Sequence, residues 1–145
     1  MKGTYVLIIE NHEDTEIEIG KIGSVRFKRG FYAYVGSALS GLEQRIGRHL
    51  RGRNKKLHWH IDYFLVNPVV EIKEVIYAET EDRKECEIAA NVGMHLDSIA
   101  HFGCTDCSCK SHLFFSTSLT QLKKYVYSSF HASGEHFLAT KINPV

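Results

Sequence analysis

Tyr34, Arg45 and His49 are the residues whose types and spacing in this chain invite chemistry. Arg carries a permanent cation whose planar fork binds phosphate or carboxylate oxygens in pairs. His exchanges a proton near neutral pH. A Tyr hydroxyl, with an ordinary pKa of about 10, is a poor base unless a nearby cation lowers that value. Residues 30–50, GFYAYVGSALSGLEQRIGRHL, have the layout needed to bring the three together. Phe31 to Val35 reads as an apolar, aromatic strand that stops at Gly36. A small-residue turn, Ser37 to Gly41, leads into a helical pattern with Leu42, Ile46 and Leu50 at i, i+4 and i+8. That stripe is expected to pack the helix down. Arg45 and Arg48 lie off it, and His49, four residues after Arg45, shares the Arg45 face.

The elements around this unit follow from period and punctuation. Residues 3–10, GTYVLIIE, are β-branched and aromatic and too short for a buried helix, so they predict a central strand carrying Tyr5. Residues 15–19 alternate polar and apolar, and Ser24 to Arg29 forms another short strand between glycines. Together they predict an extra hairpin between the Tyr5 and Tyr34 strands. Val69 to Ala78 predicts a further strand, 82–96 a helix opened by acids, and Leu119 to Phe130 a closing helix with Leu122, Val126 and Phe130 inside. The fold class expected is α+β: a small antiparallel sheet of 3–10, 31–36 and 70–78, flanked by helices 41–51 and 82–96. At 145 residues with 43% hydrophobic content, the chain is expected to form one domain, 1–145, with a real core. No run approaches a membrane span and no signal-peptide layout opens the chain, so the expected location is cytoplasmic, with no membrane partner.

Net charge is +1, but it is unevenly spread. Residues 26–60 hold nine Lys or Arg against Glu43 alone, a net of +8, which leaves −7 for the remainder. Lys28, Arg29, Arg48, Arg51, Arg53, Lys55 and Lys56 form a basic stripe suited to phosphates, with DNA the expected partner; the alternative is a solvated basic loop.

Two other clusters could do chemistry. In LHWHIDYFLV, 57–66, His58, His60 and Asp62 share a strand face, whereas His58 and Asp62 share a helix face. They read either as metal or nucleic-acid contacts, or as hydrogen-bonding groups beside a site while Trp59, Tyr63 and Phe64 pack. In HFGCTDCSCKSHLFFS, 101–116, Cys104, Cys107, Cys109 and His112 offer four ligands within nine residues. A tetrahedral Cys3His structural zinc site is chemically reasonable, although the C-x-C step makes a one-loop site tight. The alternative is a reduced, packed thiol loop.

Tyr34-Val35-Gly36 followed by Ser37, Leu42, Arg45 and His49 resembles the second half of the GIY-YIG nuclease signature, and Gly3-Thr4-Tyr5 resembles the first. Most members join the halves by a short hairpin; here the two tyrosines are 29 residues apart, and the turn before Arg45 is one residue longer. These departures, with GSA after the Tyr-Val and the later HWHID, resemble the small stand-alone Uri-type endonuclease branch. The resemblance implies a divalent-metal-dependent endonuclease hydrolysing DNA phosphodiesters, with single-stranded or damaged DNA among the forms to consider. It implies Tyr5 as general base or water-orienter with Tyr34 as partner, Arg45 on the transition state, and His49 on phosphate or in proton transfer. It also implies a helix glutamate holding Mg2+ or Mn2+, assigned to Glu87 with Glu85 second. The competing expectation is a non-catalytic nucleic-acid-binding module with a structural zinc site.

Overall fold

The computed structural model describes residues 2–38, 40–51, 57, 59–104 and 109–142. In chain order the elements are β1 (Gly3–Asn11), β2 (Thr15–Ile19), a 3-10 turn (Gly20–Ile22), β3 (Gly23–Phe27), β4 (Gly30–Ala38), α1 (Leu42–Leu50) and α2 (His60–Leu65). Then follow β5 (Val70–Glu79), α3 (Glu85–Gly93), β6 (Asp97–Ser98), β7 (Leu113–Ser116), α4 (Leu119–Ala132) and β8 (Leu138–Lys141). Six strands make one antiparallel sheet in the order β6-β7-β4-β1-β5-β8, and β2 and β3 pair separately as the expected hairpin. The architecture is therefore the α+β sheet expected, wider by three strands.

β1 is central because it can afford no exposed face: residues 3–9 are all buried. Its side chains alternate between two cores. Tyr5, Leu7 and Ile9 join Tyr32, Leu42, Ile61, Phe64 and Phe102 on one side. Val6 and Ile8 join Val35, Ile76, Ile88, Val92, Val126 and Phe130 on the other. Helices α1 and α2 thus cover one face, and α3 and α4 the other. Phe27 of the hairpin stacks on Phe64 with ring centroids 4.4 Å apart, which anchors the insertion on the α1–α2 side.

Two expectations change, and the tail adds a strand. The α1 stripe is not Leu42–Ile46–Leu50: Leu50 is 40% exposed, and His49 is buried in its place, because the inner end of this helix meets the Tyr5 hydroxyl, a polar partner. The helix expected over 82–96 runs only over 85–93; Met94, His95 and Leu96 turn off it, and Asp97–Ser98 then pairs with β7. The tail, which carries no clear pattern, adds an edge strand by pairing Leu138–Lys141 with Glu74–Tyr77. Among the described residues, no helix is long and apolar enough to cross a membrane.

Candidate functional site

The site starts from the β1–β4 register. Tyr5 stands opposite Gly36, and Tyr34 opposite Leu7, so both tyrosines lie on the α1 face of neighbouring strands. A Cβ on Gly36 would stand 2.5 Å from the Tyr5 hydroxyl oxygen. The ring of Tyr5 therefore lies across β4 only because residue 36 lacks a side chain. Gly3 does the same for the helix: a Cβ there would stand 2.5 Å from Leu42 Cδ1, so its absence lets the first turn of α1 settle on β1.

Lowered in this way, α1 delivers His49 to Tyr5. The Tyr5 hydroxyl and His49 Nε2 share a 2.7 Å hydrogen bond in the interior, with His49 2% exposed. Tyr34 meets the same imidazole edge-on at 6.1 Å between centroids. Buried like this, His49 is placed for proton exchange with Tyr5.

One turn earlier, the half-buried Arg45 donates from one terminal nitrogen to the Ser37 carbonyl at 3.3 Å and lies 4.3 Å from the centre of the Trp59 ring. Arg48 lies 4.4 Å from the same ring centre. Its guanidinium also grips Asp62 with two parallel bonds of 2.8 and 2.9 Å. Asp62, fully buried, accepts the Trp59 backbone N–H as well. HWHID is thus a bracket. Asp62 neutralises Arg48 and starts α2, and Trp59 gives Arg45 an aromatic platform worth about 0.5–2 kcal/mol to a cation. The spacing of HWHID does not by itself state this role for Trp59. Its signal was an aromatic three residues before an acid that could cap the next helix.

His60 is committed too. Its Nδ1 accepts the Gly103 backbone N–H at 2.9 Å, and burial lowers its pKa, which keeps it a neutral structural group. His58 lies outside the described residues.

Burial lifts the Tyr5 pKa well above the usual phenol value, reinforced by Tyr34 and Glu85. Arg45 pulls in the opposite direction by its charge and a hydrogen bond, and loses. Tyr34 is raised for the same first reason, again against Arg45, with Asp62, Glu85 and Cys104 adding to the rise. The cation expected to lower a tyrosine is present, but desolvation outweighs it. Both phenols are neutral at neutral pH.

Glu85 acts on both tyrosines through its charge. It sits in the first turn of α3, 8% exposed, with its Oε1 2.9 Å from an Arg83 nitrogen. Glu87 is exposed on the outer side of the same turn and pairs with Lys84 at 3.5 Å. Of the two glutamates, Glu85 is the buried one, and its charge is among the smaller influences on both tyrosines. A mostly buried carboxylate of this kind could serve as one oxygen ligand to a hard cation.

The thiol cluster is rearranged relative to expectation. Cys109 and His112 do come together, but with Cys86 of α3: their ligand atoms all lie within 4.8 Å of one another. Cys104 instead directs its Sγ to the Phe102 carbonyl at 3.4 Å and does not join that group. Cys107 lies outside the described residues.

Of the basic stripe, Lys28, Arg29 and Arg51 are exposed, whereas Arg48 is taken up by Asp62. Arg53, Lys55 and Lys56 lie outside the described residues.

A family model described as a domain of unknown function, DUF123, matches residues 4–135. The chain belongs to the DUF123 family. No curated protein and no solved structure matches it. In this DUF123 domain the matched span runs from the residue before Tyr5 to beyond α4, so it contains Tyr5, Tyr34, Arg45, His49, Glu85 and the Cys86 cluster.

Proposed function

We propose that the cluster of Tyr5, Tyr34, Arg45 and His49, with Glu85, is the active site of a divalent-metal-dependent endonuclease acting on DNA in the cytoplasm. The observation that carries this reading is the 2.7 Å Tyr5–His49 bond under Arg45, with the charge of Glu85 felt at both tyrosines. The resemblance of Gly3-Thr4-Tyr5 and Tyr34-Val35-Gly36 to the GIY-YIG signature supports it, and so do the exposed Lys28, Arg29 and Arg51.

In this reading Tyr5 does not work as a phenolate, because burial keeps it neutral. Its oxygen takes a proton from the attacking water while its own proton passes to His49 Nε2. The two transfers leave Tyr5 neutral throughout and place the positive charge on the imidazole, where a buried anion would not have to form. Arg45 receives the phosphate oxygens as negative charge builds on them, and Trp59 keeps its fork from swinging away. Glu85 would hold Mg2+ or Mn2+, which supplies Lewis-acid charge on a phosphate oxygen.

A second reading, a nucleic-acid-binding module without catalysis, is favoured by the raised tyrosine pKa values alone. Incubating the protein with single-stranded, duplex, damaged and branched DNA, and with RNA, under Mg2+, Mn2+ or EDTA separates the two. Cleavage in metal and none in EDTA is the expected result. Salt-sensitive binding with every substrate left intact gives the second reading.

A further inference from the structure

Cys86, Cys109 and His112 converge from parts of the chain that sequence spacing does not connect. Cys86 is the second residue of α3, directly after Glu85, and the other two lie just before and at the entry to β7. All three ligand atoms fall within 4.8 Å of one another, the cysteines half-buried and His112 buried. Zinc sits about 2.3 Å from a thiolate and about 2.0–2.1 Å from an imidazole nitrogen, so donors this close reach one ion by small side-chain rotations.

We propose that Cys86, Cys109 and His112 bind a zinc ion that clasps the first turn of α3 to the segment entering β7, apart from the hard-ion position at Glu85. Two sulfurs and an imidazole make a soft to borderline set, which selects zinc over Mg2+ or Mn2+. His112 is already oriented for the task. Its Nδ1 lies 3.1 Å from the Val35 carbonyl, and donating there leaves Nε2 with the lone pair a metal requires. Its own backbone is held on both sides, donating to the Phe102 carbonyl and accepting from Val35 N–H, each at 2.9 Å. The His101 N–H bonds the Lys110 carbonyl at 2.9 Å, which fixes the residue next to Cys109. On the opposite wall, Ile88, Ala89 and Val92 lock α3 into the second core. Recruiting Cys86 from a helix also removes the difficulty of closing a site inside one short loop.

The inference does not depend on the nuclease reading, and its readouts do not use activity. Metal-free protein is titrated with Zn2+ against a chromophoric chelator, and with Co2+ to read thiolate-to-metal charge-transfer absorption. The wild type is expected to bind one zinc per chain and to show the intense band of a thiolate-rich site. Cys86→Ser and His112→Gln are each expected to weaken zinc binding at least tenfold, whereas Cys104→Ser and Glu85→Gln retain it. Circular dichroism of each metal-free variant establishes that it is folded, and a variant that does not fold is replaced by Cys86→Ala. Wild type that takes up no zinc overturns the proposal. So does zinc lost in Cys104→Ser but kept in Cys86→Ser, which would return the site to the loop alone. A nuclease that needs Glu85 but binds no zinc would sink this inference and leave the proposed function standing.

Discussion

Tyr5 and Gly36 face each other across the β1–β4 ladder, and the Tyr5 ring fills the space a Cβ on residue 36 would need. A methyl group there cannot be relieved by the far end of a flexible chain, because the atoms it meets belong to a rigid phenol buried in the core. Gly36→Ala is therefore expected to destabilise the fold by about 1–3 kcal/mol, the usual cost of overpacking. It should also lengthen or break the Tyr5–His49 bond. Denaturant unfolding reads the first effect and cleavage rate the second. A variant as stable and as active as the wild type would mean that Tyr5 has another seat.

Burial of three tyrosines makes stability alkaline-sensitive. Tyr5, Tyr32 and Tyr34 all have raised pKa values, with desolvation as the first cause. Above the unfolded value of about 10, the unfolded chain gives up these protons while the folded one keeps them. The stabilisation is therefore complete below that pH and is lost as pH rises toward the folded values. Guanidinium midpoints measured from pH 8 upward should fall steeply beyond about 10, and the Tyr5→Phe, Tyr34→Phe double variant should fall less steeply. Phenolate absorbance would refute this if all seven tyrosines titrated together in the folded protein.

The fold was largely legible because its signals are local: Gly stops, β-branched runs and an inserted alternating hairpin each mark themselves. The candidate site was legible in part, and what the structure rearranges has geometric causes. Glu85 and Glu87 stand two residues apart, about 200° around a helix, so which one faces the sheet depends on where the helix begins and how it docks. The acids at 81 and 82 predict an earlier start, but the helix begins at Glu85. Cys86 carries no ligand signal in the sequence because it is 23 residues from Cys109, and only the fold closes that gap. Leu50 looked buried because period alone cannot show that the interior at that point offers a hydroxyl to His49 instead.

Trp59 should matter to rate without touching substrate. It lies against both guanidiniums, and only Arg48 is also gripped by a carboxylate. Trp59→Leu keeps an apolar side chain but removes the aromatic platform, so it should lower kcat while leaving KM for DNA nearly unchanged. Arg45→Ala should cost on the order of 100- to 1000-fold in kcat, as loss of a preorganised electrostatic partner does. Arg45→Lys should recover only part, since the bidentate fork is gone. In the Arg45→Ala background Trp59→Leu should add almost nothing. Additive losses would show that Trp59 acts by another route.

The assignment of the metal ligand makes the sharpest test, because two glutamates of one helical turn are given opposite fates. Glu85 is buried and its charge reaches both tyrosines, while Glu87 faces solvent and pairs with Lys84. Glu85→Gln keeps size and the capacity to hydrogen-bond but removes the charge a hard cation requires. It should abolish metal-dependent cleavage and leave salt-sensitive DNA binding intact, or strengthen it by deleting a negative charge. Glu87→Gln should cut at the wild-type rate, since an exposed pair of this kind contributes about 0–1 kcal/mol at most. Raising Mg2+ or Mn2+ concentration should not rescue Glu85→Gln, because the loss is of a ligand and not of affinity alone. If Glu87→Gln is the inactive variant, α3 must rotate when DNA and metal bind. If both variants cut normally, the cation is held elsewhere, and the charge of Glu85 serves only to tune the tyrosines.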